Sequence, residues 1–143
     1  MAMKLHPIAD FTADFPDDQI EEDDEITVLG GRGVAEHIAA ILRRLDYRVA
    51  APEHTPPYGW RFDVSRGRGR VTMQVTDLRE EYVLDAIERT PFWTRLIDRS
   101  ASIRVELLVR LNEELAADGR FHNIQWWDRY DARGVAASQP VPP

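Results

Sequence analysis

Hydrophobic and polar positions recur along this chain with two different periods, and the changes of period mark its elements. From Gly33 to Leu45 the apolar residues Val34, Ile38, Ile41, Leu42 and Leu45 fall on one stripe of an amphipathic helix. Glu36 near its start, with Arg43 and Arg44 near its end, suits the helix dipole. Tyr47 to Ala51 reads as a short strand. From Trp60 the period drops to two. Trp60, Phe62 and Val64 alternate with Arg61, Asp63 and Ser65, and Val71, Met73 and Val75 alternate with Thr72, Gln74 and Thr76. Two such runs around a glycine-containing turn predict an antiparallel hairpin with one buried and one wet face.

Residues 80–89 fit either a short helix or a strand. Thr90–Pro91 is a helix start, because Thr can cap and Pro is preorganised for the first turn. The helix should run through Val105, Leu108, Leu111 and Leu115, broken near "DRSAS", and end at Gly119 in a left-handed conformation. "RFHNIQWWDRY" supplies a last strand. This order predicts an α+β two-layer sandwich: an antiparallel sheet of about four strands with two main helices on one face. Trp60, Phe62, Phe92 and Phe121 are its expected aromatic core.

Charge divides the chain further. The net charge of −7 is not spread evenly. Asp10, Asp14, Asp17, Asp18, Glu21, Glu22, Asp23, Asp24 and Glu25 face Lys4 alone in residues 1–25, leaving a nearly neutral remainder. Like charges in sequence resist compaction, so residues 1–25 are expected to be a flexible acidic leader. Residues 26–133 are then a single α+β domain, and 134–143 a disordered tail.

The stretch "ITVLGGRGVAE" tests the idea of a dinucleotide site. Gly31 and Gly33 match the first two glycines of the fingerprint, and Glu53 stands where a ribose-binding acid belongs. Glu36, however, falls where the third glycine is needed, and a hairpin follows where crossover units should. Glycines at a helix entry leave amides that could bind an anion, so Gly31 and Gly33 stay as an anion-binding candidate. His6, His37, His54 and His122 show no metal-ligand spacing, and cysteine is absent, so no metal and no cofactor is expected.

The candidate binding residues lie elsewhere. Trp126 and Trp127 are adjacent on a strand, so one must face away from the core, beside Tyr130 or Tyr58. Arg61, Arg66, Arg68 and Arg70 cluster about the "SRGRGR" turn; with a nearly neutral body, nucleic acid is not the expected partner. Asp17, Asp18, Glu21 and Glu22 could steer a basic protein. The leading expectation is a non-catalytic bacterial module that binds another protein, an immunity or inhibitor protein being one concrete form. Two alternatives stay open. Over residues 33–128 the order helix, three strands, helix, strand resembles type III secretion chaperones in outline, which implies a homodimer. The other is a nucleotide-binding enzyme using Gly31 to Glu36. No apolar run approaches the ~20 residues of a membrane helix, and no signal-peptide pattern opens the chain, so a cytoplasmic location is expected.

Overall fold

The computed structural model describes residues 4–129 and 136–142. Its framework is a seven-stranded antiparallel sheet. In chain order the elements are β1 (Ile8–Ala13), β2 (Ile20–Glu22), β3 (Glu25–Val28), α1 (Arg32–Arg44), β4 (Arg48–Val49) and β5 (Glu53–Thr55). Next come β6 (Gly59–Arg66), β7 (Gly69–Asp77), β8 (Tyr82–Glu88), α2 (Phe92–Ile97), α3 (Arg104–Ala117) and β9 (Phe121–Trp127). Strands lie side by side as β4-β6-β7-β8-β1-β9, with β5 also on β6, while β2 and β3 form a separate ribbon.

The period-2 hairpin is β6–β7, in the register Trp60↔Val75, Phe62↔Met73, Val64↔Val71. Its two-residue turn starts at Gly67 with φ 59°, the positive value this turn needs at its first central position. The inward side chains of both strands are buried. α1 packs on β6 and β7, α3 packs on β7, β8 and β9, and the helices touch each other. One continuous core joins them to the sheet. Residues 80–89, ambiguous in sequence, form β8.

Several expectations are corrected. The sheet has seven strands, not about four, because β5, β8 and, from the leader, β1 also join it. β1 lies between β8 and β9, and its Ala9 and Phe11 are buried. Only one acid, Asp10, interrupts that stretch, and the pleat points it away from the core beside Ile8 and Thr12. Part of the expected tail makes contacts with the sheet: Ala137 pairs with Trp126, and the Pro140 carbonyl accepts the His6 amide. The helix expected from Pro91 is two helices, α2 and α3, joined by a 3-10 turn at Arg99–Ala101, so the break near "DRSAS" is real. Gly119 has no positive φ, and α3 ends at Asp118 in an extended conformation. Phe92 is not in the core; it stands 64% exposed on α2.

Candidate functional site: an acidic arm on a fixed base

The acids of residues 21–25 are built into structure. β2 and β3 pair as Ile20↔Val28, Glu21↔Ile26 and Glu22↔Glu25. Asp23 and Asp24 close the ribbon with φ of 52° and 65°, the left-handed pair that a tight hairpin turn requires and that Asp tolerates. Every residue of β2 is exposed. Glu22 and Glu25 are directly opposed like charges, which weakens a ribbon of this kind. None of Glu21, Glu22, Asp23, Asp24 or Glu25 forms an ion pair with a described residue.

Such a ribbon keeps its shape because both of its ends are fastened to the body. Asp18 accepts the amide of Gly31 at 2.8 Å and that of Gly33 at 2.7 Å. These are donors at the α1 N-terminus, where an anion is favoured. Asp17 forms a two-pronged pair with Arg79 at 2.6 and 2.9 Å, and Arg79 also meets Asp77. On the other side, the Leu29 amide donates to His54 Nε2 at 3.0 Å, and Trp60 Nε1 donates to the Leu29 carbonyl at 2.9 Å. A Cβ on Gly30 would press on the Asp77 carboxylate, which would have to swing aside.

The amides of the glycine turn, expected to be open to an anion, are therefore taken by the protein's own Asp18. Of the four expected acids, Asp17 and Asp18 are spent on fastening, while Glu21 and Glu22 remain outward. A pH expectation follows for the fastening. The Arg79 guanidinium, helped by the Gln19 amide, holds the Asp17 carboxyl down to about 2 from the ordinary 3.8. A depressed carboxyl contributes in full above its ordinary value and is lost only as pH falls through the folded value. The arm should stay fastened from pH 7 to 4 and loosen toward pH 2, read from the Asp17 carboxyl carbon in an NMR titration.

The acidic end also gathers apolar side chains. Ile20 and Ile26 are 47% and 53% exposed on the arm. Tyr58 and Leu78 are half-exposed on the body near the end of β7, where Thr76 donates to the Tyr58 carbonyl. Arg61 lies over the Tyr58 ring at 4.7 Å and donates to Gln74. Sequence reasoning chose Tyr58 and Arg61 but missed Ile20, Ile26, Leu78 and Arg79. The one signal for the arm was the Asp23–Asp24 pair between residues able to face each other.

The remaining candidates do not converge. Trp126 is fully buried and donates to Asn112, whereas Trp127 is half-buried on the opposite face, level with Ile8. Tyr130 lies outside the described residues. Arg66 is engaged by Glu106 and the Tyr47 ring, and Arg68 by Asp98 at 3.6 Å. Arg70 lines a cleft of about 420 Å³ on the helix-free sheet face with Arg48, Arg89, Asp63 and Thr72. There Asp63 already accepts the Thr72 hydroxyl at 2.7 Å.

The histidines act as staples. His37 contacts Asp118 at 2.8 Å and packs against Phe15 and Phe121, and His122 contacts Asp14 at 2.8 Å. Among the described residues no cluster of metal-ligating side chains is present, and no helix is long and apolar enough to cross a membrane. The class defined by these elements is an antiparallel α+β sandwich with a projecting acidic ribbon. No family model, curated protein or solved structure matches the chain.

Proposed function

We propose that the chain is a protein-binding module that acts through its acidic arm on a basic partner protein, in the manner of an immunity or inhibitor protein. The observation that carries this reading is the exposed β2–β3 ribbon, whose carboxylates around Ile20 and Ile26 meet no cation among the described residues and whose base is fastened to the body. Unpaired like charges on a preorganised ribbon repel one another until a cationic surface neutralises them. They also steer such a surface toward contact, raising association rates by roughly 10- to 1,000-fold. The two isoleucines supply apolar contact where charge alone gives little affinity. Preorganisation removes the ordering cost that a flexible acidic leader would meet on binding.

The test is capture from bacterial lysate by the full chain and by a variant with Glu21, Glu22 and Glu25 changed to Gln and Asp23 and Asp24 to Asn. The expected result is one stoichiometric basic protein, released by salt from the wild type and not retained by the variant. The variant should melt no lower than the wild type, because the substitutions leave the Asp17 and Asp18 fastenings in place and remove the repulsion between Glu22 and Glu25. A partner held equally by the variant, or no partner in either sample, refutes the reading.

A further inference from the structure

The other end of β7 carries a different surface. On α2, Phe92, Trp93, Leu96 and Ile97 are 64%, 69%, 67% and 81% exposed, and the helix has no buried residue. Spaced i, i+1, i+4 and i+5, the four side chains form one stripe about 140° wide at ~100° per residue. Thr94, off that stripe, is better covered than any of them. The helix thus turns its apolar side to water, the reverse of a helix lying on its own core.

Both ends of α2 are pinned, so the stripe is held out. Before it, Thr90 is buried and its hydroxyl accepts the Arg70 amide at 3.0 Å. After it, Asp98 accepts the Ser100 amide, and Ser102 donates to Glu88 at 2.6 Å. Ala101 and Ile103 are buried against Gly69, where a Cβ would collide with the Ala101 carbonyl. Leu107, Leu108 and Leu111 of α3 are fully buried in the main core, to which α2 contributes no buried side chain.

We infer that this stripe is a self-association surface, covered by the α2 stripe of a second copy of the chain. An isologous pair uses the same patch twice, so the sequence itself guarantees a partner with a matching apolar face. Area supports it. Large side chains each bury roughly 150–250 Å², so at these exposures the stripe offers about 500 Å² per copy. Complete burial of the stripe on both copies would remove about 1,000 Å², the lower threshold for a biological interface. That is short of the roughly 1,200–2,000 Å² of stable ones, so the pair is a weak, concentration-dependent one. Arg68 beside the helix end is paired with Asp98, while Arg95 on α2 and Arg99 after it are exposed and belong to the rim of the contact. Gly69, at the α2 end of the nine-residue β7, stands about 26 Å from Asp77 near the acidic arm, at ~3.3 Å per residue. Pairing through α2 therefore leaves both acidic arms free, and the surface is independent of the arm's function.

The experiment is sedimentation equilibrium of the full chain over a micromolar concentration series, combined with acrylamide quenching of tryptophan emission. Trp60 and Trp126 are buried and Trp127 is half-buried, so Trp93 dominates the quenchable signal. The expected result is a dimer whose quenching falls as concentration rises. Leu96→Asp should be monomeric at every concentration, with the thermal melt of the wild-type monomer. Ile97→Ser, at the most exposed position, should weaken the dimer at least tenfold. A wild type monomeric throughout overturns the inference. So does a dimer indifferent to both substitutions, which would place the interface elsewhere. A monomeric Leu96→Asp that has also lost its fold, together with an unaffected Ile97→Ser dimer, would show that the stripe packs within its own chain.

Discussion

Phe11→Ala is expected to destabilise the protein by about 3–5 kcal/mol, the range for emptying a large aromatic site in a core. Urea denaturation of the two proteins, compared by midpoint and slope, measures it. Phe11 is 1% exposed, stacks on Tyr82 at 5.8 Å between ring centres and meets Phe121 at 5.3 Å. It thereby joins the strands on either side of β1. If residues 1–25 were a loose leader, the same substitution would stay within about 0.5 kcal/mol, as surface changes do. A typical domain is stable by only 5–15 kcal/mol, so the two cases are easily separated. The same geometry forbids deleting the first 25 residues as a way to test the acids. Removing β1 would leave β8 and β9 as unpaired edges and strip β9 of its neighbour in the sheet. Side-chain neutralisation on the arm avoids this.

What was legible in the sequence followed from strong periodicity. The stripe Val34 to Leu42 gave α1 almost to the residue, and the alternation at Trp60–Val64 and Val71–Val75 gave the central hairpin. β1 carries the same signal more faintly. Ala9, Phe11 and Ala13 point inward, but two of these are alanines, and the acids that follow lowered the apparent hydrophobicity of the whole stretch. Averaging charge over residues 1–25 merged a buried strand with an exposed ribbon. Phe92 failed for the opposite reason. Local composition marks "PFWTRLI" as apolar, and only the pinning of Thr90 and Ala101 by distant strands keeps that segment off the core. No window of sequence contains those contacts. The glycines at Gly31 and Gly33 suggest amides open to an anion; in the fold those amides are taken by Asp18, thirteen positions earlier than Gly31, a contact that no window of sequence contains.

That arrangement makes Asp18→Ala the second large effect, an expected loss of about 2 kcal/mol, from a helix cap worth 0.5–2 and charge-assisted bonds at the upper end. Gly31 itself offers no side-chain cap, and α1 has no acid in its first turn, so Asp18 alone neutralises that end of the helix. Its two bonds also hold the strand that enters the acidic arm. Loss of the carboxylate should therefore act unevenly. Amide exchange in residues 20–28 should accelerate more than in β6, β7 or β8, whose ladders do not involve Asp18. Uniform acceleration would mean that Asp18 stabilises the body and not the arm. The vacated amides of Gly31 and Gly33 then become open to an outside anion. Sulfate or phosphate should raise the melting temperature of Asp18→Ala more than that of the wild type, with added chloride as the control for screening. A matching response of the two proteins would show that Asp18 does not fill the site that the glycines form.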